Sequence, residues 1–174
     1  MINLKSNSEF LLQSFTKLLE QKNLIQNQLQ GSIWHTIQID DLNDKLCLVI
    51  NDYKKKYTKP LPFNTIFSDL SKEIMKISFD IDKLIYAPYL REINFDETKI
   101  YLSDIQNKIL FNLIVNRDGV NKEQLYKFIW PDDKEISINK LDTHLTNLKN
   151  LIFDELKFKI NFKSLDKTLK LIVN

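Results

Sequence analysis

Three blocks of apolar residues recur at three- and four-residue spacing between Ser103 and Phe153, and two short polar breaks separate them. That spacing lets an α-helix bury one face. The first block carries Ile105, Ile109, Leu110, Leu113 and Ile114, and Ser103 stands where an N-cap belongs, which predicts a helix ending near Val115. Arg117-Asp118-Gly119 reads as a turn. Lys122 to Trp130 is a short second helix with Leu125, Phe128 and Ile129 inside, and Pro131 to Glu135 is a loop. Ile138 to Phe153 is a third helix with Leu141, Leu145, Leu148, Leu151 and Ile152 inward. Lys157 to Val173 alternates twice around Ser164 to Lys167, which predicts a terminal β-hairpin.

Four short segments rich in Ile, Tyr and Phe precede these helices: Ile77 to Ile81, Lys83 to Ala87, Arg91 to Phe95 and Lys99 to Leu102. Asp and Pro separate them, and they read as an antiparallel meander. The first 76 residues follow another pattern. Ser8 to Gln30 carries a helical stripe of Phe10, Leu11, Phe15, Leu18, Leu19, Leu24, Ile25 and Leu29, and Gly31-Ser32 breaks it. Ile33 to Ile39 alternates like a strand, and Lys45 to Asn51 is a short apolar run that suits a buried one. Lys54 to Lys59 reads as a polar, basic connector closed by Pro60 and Pro62. Asn64 to Met75 is a second helix, with Ile66, Phe67, Leu70, Ile74 and Met75 on one face.

The predicted fold class is α+β in two modules: a small α/β module over residues 1–76, then a meander, three helices and a hairpin over 77–174. A length of 174 residues suits one ordinary domain or two small ones. With 43% hydrophobic residues, 2 Gly and 4 Pro, the chain is neither disordered nor fibrous in composition. The lone Cys47 excludes an internal disulfide or a Cys-based zinc cluster. The longest apolar runs fall far short of the roughly 20 residues that span a bilayer. No basic segment followed by an apolar one opens the chain, so a cytoplasmic protein with no membrane partner is expected. The net charge of +2 identifies no partner by itself.

A tri-helical core with a terminal hairpin is the winged helix-turn-helix arrangement. Residues 77–174 resemble the output domain of response-regulator transcription factors of the OmpR/PhoB type. Tyr101-Leu102-Ser103 with Ile109-Leu110 and Leu113 resembles the family's first helix. Gly119 to Leu125 resembles the turn into its second helix, and Phe128-Ile129-Trp130 with Pro131-Asp132-Asp133 resembles that helix's end and the loop after it. Ile138 to Leu151 is similar to the recognition helix in its Asp142-x-His144 pair and its apolar spacing. The meander fits too, because the family places a four-stranded sheet before its first helix. The resemblance implies double-stranded DNA as the ligand and RNA polymerase as a further partner.

Residues 1–76 resemble a truncated receiver domain. Thr58-Lys59-Pro60 is similar to the step that ends a receiver's last strand, and Asn64 to Met75 to its closing helix. A receiver holds Mg²⁺ on carboxylates after its first strand, where this chain has Lys5-Ser6-Asn7-Ser8. Asp52 is the only phosphoacceptor candidate, and Asp40, Asp41 and Asp44 are expected in a solvated loop. A phosphorylation-independent module is therefore expected. Its two helices, Ser8 to Gln30 and Asn64 to Met75, are the expected interface elements of a C₂ homodimer.

In the third helix the apolar set leaves Asn139, Lys140, Thr143, His144, Asn147 and Lys149 outward. Asn can bond an adenine edge, Thr can touch a thymine methyl, and Lys can reach guanine or phosphate. An ordinary solvated face is the alternative. In the hairpin, Lys163 and Lys167 are candidate phosphate contacts. Residues 137–174 carry 7 Lys and Arg against 4 Asp and Glu, whereas 78–136 carry 8 against 11. Positive charge therefore gathers in the part expected to face DNA. The hairpin lacks the family's Gly-rich turn, which argues against insertion of its tip into a minor groove. His35 and His144 are too few for a metal site, Cys47 reads as a buried small hydrophobe, and Trp34 and Trp130 read as core or interface aromatics. No cofactor is implied, and no catalytic motif occurs.

The expected function is a sequence-specific DNA-binding transcription regulator. The alternative is a protein-interaction adaptor built on the same surfaces with little or no DNA affinity. Salt-dependent DNA binding discriminates the two.

Overall fold

A computed structural model describes residues 2–21, 35–50 and 52–173. The chain is a mixed α+β protein and divides into two compact units. The first contains the described residues up to 77, and the second contains 78–173.

The first unit runs β1 (Ile2–Ser6), α1 (Glu9–Gln21), β2 (His35–Leu42), β3 (Lys45–Ile50), β4 (Tyr53–Thr58) and α2 (Phe63–Met75). Its sheet has the order β1-β2-β3-β4. Only β1 and β2 pair in parallel; β2–β3 and β3–β4 are antiparallel hairpins. Ile37, Ile39, Leu46, Leu48 and Ile50 are buried on one sheet face, together with Leu11, Phe15 and Leu19 of α1 and Ile66, Leu70 and Ile74 of α2. The rings of Phe15 and Phe63 lie 6.2 Å apart, so both helices share that face. The opposite face is mostly polar, with Gln38, Lys45, Lys54 and Lys56 exposed and Cys47 buried between Asp40 and Lys56. One covered face and one wet face is what an antiparallel layer tolerates.

This architecture corrects several expectations. A receiver-like layer would wind parallel strands with helices on both faces, whereas here three of the four strands form a meander. The expected connector from Lys54 to Lys59 is mostly strand β4. Three lysines obscured it, yet lysine is well suited to an edge strand. Asp40 and Asp41 lie within β2, not in a loop, and Asp44 alone occupies the turn. Asp52 is exposed between β3 and β4. Met75, Phe10 and Leu18 are 41%, 68% and 36% exposed, so none of them belongs to the buried stripe assigned to it. Cys47 is buried, and its thiol is free. The expected helix beyond Gln21, the break at Gly31-Ser32, Trp34 and the side chain of His35 lie outside the described residues.

The second unit opens with an antiparallel sheet in the order β5 (Phe79–Ile81), β6 (Leu84–Ala87), β7 (Glu92–Phe95), β8 (Thr98–Tyr101). Helix α3 (Asp104–Val115) follows, then β9 (Val120–Asn121), α4 (Lys122–Ile129), α5 (Ile138–Leu156) and the hairpin β10 (Ile160–Leu165) and β11 (Thr168–Val173). Strand β9 joins the hairpin as a third strand through Asn121↔Thr168 and Val120↔Leu169. Ser103 and Gln106 form a capping box that starts α3. Asn121 caps α4 by accepting from the Glu123 and Gln124 amides. One core joins the sheet to the helices. Asn107, fully buried on α3, donates to the Pro88 carbonyl at 3.1 Å and accepts from the Tyr86 hydroxyl at 2.7 Å. Phe95 of β7 packs its ring 5.4 Å from Phe158.

Gly119 adopts φ +107° where the turn after α3 passes over the hairpin. A Cβ there would lie 2.4 Å from the Thr168 methyl and 2.8 Å from the Lys170 Cγ. Conformation and close approach both require glycine. At the hairpin tip Asp166 and Lys167 both have positive φ, the backbone of a tight two-residue turn that follows the strand twist.

Candidate functional site

Helix α5 is long because its apolar positions recur for five turns. Leu141, Leu145, Leu148, Ile152 and Leu156 are buried. Leu151, expected inward, is half-buried, since it stands a full residue step away from Ile152 around the axis. Opposite this stripe, Asn139, Thr143, Asn147 and Asn150 are exposed, with Thr146 beside them. Every one of these side chains is uncharged and able to donate or accept hydrogen bonds. Thr143 and Thr146 turn their hydroxyls back onto the carbonyls of Asn139 and Asp142, at 2.8 and 2.9 Å. That leaves their methyl groups as the outer contact surface.

Lys140 and His144 stand apart from this stripe. The Lys140 ammonium donates to Asp133 at 2.9 Å and lies 4.5 Å from the centre of the Trp130 ring. The ring of His144 lies 5.3 Å from the same indole, and the tilted ring of Tyr126 lies 4.7 Å from it. The Tyr126 hydroxyl also donates to Asp133. The hydrogen bond from Lys140, joined by that from Tyr126, holds the Asp133 carboxyl below its ordinary range. The same bond to Asp133 pushes the Tyr126 phenol up. This cluster fixes the loop between α4 and α5. Trp130 is its half-buried centre, in keeping with its expected place as a core or interface aromatic.

Lys163 is exposed on β10 and carries no ion pair among the described residues. Lys167 is exposed in the hairpin turn but pairs with Glu123 at 2.9 Å, and the Glu123 carboxyl is lowered by that hydrogen bond. The turn is anchored to α4 by the Lys122 amide, which donates to the Lys167 carbonyl at 2.9 Å. Lys122 in turn ties α4 to α5 through Asp142 at 2.8 Å. The Asp142-x-His144 pair therefore serves as two internal anchors, one to Lys122 and one to Trp130.

Lys149 is exposed and lines a groove of about 300 Å³ with Asn150, Phe153, Lys159, Ile160 and Asn161. The Lys159 ammonium lies 5.8 Å from the Phe153 ring centre. Sequence reading did not include Asn150, although it lies seven residues from Thr143 and so on the same stripe. Lys159 and Asn161 lie beyond the helix, and helical spacing says nothing about them.

Of the eight expected contacts, α5 therefore displays Asn139, Thr143 and Asn147 together and Lys149 at their flank, with Lys163 and Lys167 exposed on the hairpin, the latter in a surface ion pair with Glu123. Lys140 and His144 are engaged by the Trp130 cluster. Among the described residues no group of three His, Cys, Asp or Glu could hold a metal ion. No described helix is long and apolar enough to cross a membrane. No protein-family model matches the chain, and no curated protein matches it.

Proposed function

We propose that the second unit is a winged helix-turn-helix that binds double-stranded DNA as a sequence-specific transcription regulator. In this reading α4 and α5 are the helix-turn-helix and β10–β11 is the wing. The observation that supports it best is the uncharged stripe of Asn139, Thr143, Asn147 and Asn150 along α5. Amides and threonine methyls suit the adenine N6/N7 edge and the thymine methyl, so an A·T-rich major-groove site is the expected target. Lys149 and Lys159 line the groove beside Asn150, Lys163 is exposed on the hairpin, and all three can hold phosphates.

Phosphorylation has no place in this reading. Asp52 is exposed in a turn, and the Asp41 carboxylate is already held by Lys59 at 2.9 Å. RNA polymerase and a homodimer remain companion proposals of the same reading, as does a cytoplasmic location.

Binding to a pool of random duplexes, with the selected sequence then titrated against salt, is the direct test. Asn139→Ala and Asn147→Ala should each cost roughly 1–3 kcal/mol on the selected site. Lys163→Ala should weaken all duplexes alike and lower the log–log salt slope by about one. Treatment with a small phosphodonor and Mg²⁺ should leave affinity unchanged. A folded protein that binds no duplex at low salt would leave the adaptor reading.

A further inference from the structure

The two edges of the first unit's sheet differ in chemistry. Strand β4 presents Lys54, Lys55 and Lys56 in succession, all exposed. Two copies meeting along β4 would bring lysines opposite lysines, and like charges directly opposite destabilise a strand pair. Strand β1, Ile2-Asn3-Leu4-Lys5-Ser6, has one charge. Its only strand partner among the described residues is β2, so among them the outer N–H and C=O groups of β1 are unpaired by any strand and can template another.

We propose that a second copy of this chain pairs with β1 antiparallel to β1, giving one continuous eight-stranded sheet across a two-fold axis at Leu4. Centred there, the register sets Leu4 opposite Leu4, Ile2 opposite Ser6 and Asn3 opposite Lys5. All five residues are paired, and no lysine faces a lysine. Directly opposite residues share a face, so Ile2, Leu4 and Ser6 of both copies stay on the side that carries Ile37 and Ile39. Pairing β1 with β4 of another copy would set Lys5 among three lysines and leave new edges for further addition. The β1–β1 contact is closed and self-complementary.

Helix α1 supports the same axis. It follows β1 directly and packs on it. Phe10 and Leu18 are exposed at 68% and 36%, and lie eight residues apart on one flank of the helix. A two-fold perpendicular to the sheet keeps both α1 helices on the same sheet face, one on each side of the axis. Phe10 and Leu18 are the exposed apolar surface that α1 can add to the strand ladder.

The test is the solution mass of the full chain over a range of micromolar concentrations, for the protein and two single variants. Asn3 is on the open polar face, so Asn3→Lys and Asn3→Glu both leave the buried face intact; circular dichroism and a melting curve check this. The unaltered protein should approach twice its monomer mass. Asn3→Lys sets two symmetric Lys–Lys pairs across the axis and should weaken dimerisation roughly 2- to 30-fold, while Asn3→Glu should strengthen it by a similar factor. A monomer at every concentration overturns the proposal. So does a dimer indifferent to both variants, which would place the contact elsewhere. Mass alone is read, so the outcome is independent of whether α5 binds DNA.

Discussion

The two units reach their folds by different routes. In the second unit, two of the three helix starts are written within three residues of themselves, Ser103 with Gln106 and Asn121 with Glu123 and Gln124, while α5 follows Ser137 without a side-chain cap. The turn between α3 and α4 is written in one glycine. In the first unit, α2 starts after Pro62 with no side-chain cap. Its sheet depends on pairing Leu4 with Ile37 and Ser6 with Ile39, partners 33 residues apart. Local signals constrain a chain before it collapses, while distant pairings constrain it only after a loop has closed. The second unit should therefore be most sensitive to single backbone changes, and the first to the side chains that tie its distant parts together.

The sharpest way to break the local side of this contrast is Gly119→Ala. The alanine would have to hold φ +107° with its Cβ inside the contact distance of Thr168 and Lys170. Strain and overpacking together should cost about 2–4 kcal/mol. Chemical denaturation followed by tryptophan fluorescence in a Trp34→Phe background, which leaves Trp130 as the reporter, measures it. A loss under 1 kcal/mol would mean that the turn relaxes freely, and the local route would lose its firmest support.

The same contrast explains what could be read in advance. Helices α3, α4 and α5 were legible because their apolar positions recur at helical spacing, with the Ser103 cap marking the start of α3. Strand β4 was not, because lysines protect an edge for reasons that only the sheet order reveals. The α5 surface was half legible. Helical spacing put Asn139, Thr143 and Asn147 outward, but spacing within one helix cannot show that Asp133 and Trp130, on the preceding loop, take up Lys140 and His144. Nor could it show that Asn107, a polar residue inside an apolar stripe, meets Pro88 and Tyr86. Asn107 is a buried amide on α3 that takes its partners from outside the helix, whereas the buried Asn112 turns its amide back onto the Lys108 carbonyl.

For the first unit the matching test is Tyr57→Phe. Tyr57 is buried on β4, and its hydroxyl donates to Asp69 of α2 at 2.7 Å, beside Lys55 at the same distance. The Lys55 hydrogen bond, with that of Tyr57, lowers the Asp69 carboxyl below its ordinary range. Burial first, then the bond to Asp69, raises the Tyr57 phenol. Removing the hydroxyl should cost about 1.5–3 kcal/mol, the range for a hydrogen bond to a charged group. The sign of the pH effect follows from the lowered carboxyl. Its contribution is complete above the unfolded pKa near 3.9 and is lost as pH falls through the lower folded value. The phenylalanine variant should therefore differ most from the parent at neutral pH and converge on it in acid. A difference that stays constant down to pH 2 would show that Tyr57 acts through packing alone.

The smallest effect has the opposite sign. Lys157 ends α5 in the left-handed region at φ 54°, where its amide bonds to the Phe153 carbonyl at 2.9 Å. Glycine is the usual residue at such an end because it carries no Cβ penalty. The Lys157 ammonium donates to the Asp154 carbonyl at 2.8 Å, an exposed contact that compensates only in part. Lys157→Gly should therefore stabilise the protein by about 0.5–1 kcal/mol. In the proposed DNA-binding reading, the gain should leave the salt slope unchanged, because this lysine lies past the outward stripe of α5. Thermal melting reads the first quantity and a salt titration the second. A variant that melts lower would show that the carbonyl contact outweighs the backbone strain. A flatter salt slope would move Lys157 into the phosphate-holding set beside Lys149 and Lys159, and would extend the α5 surface beyond the helix that local spacing defines.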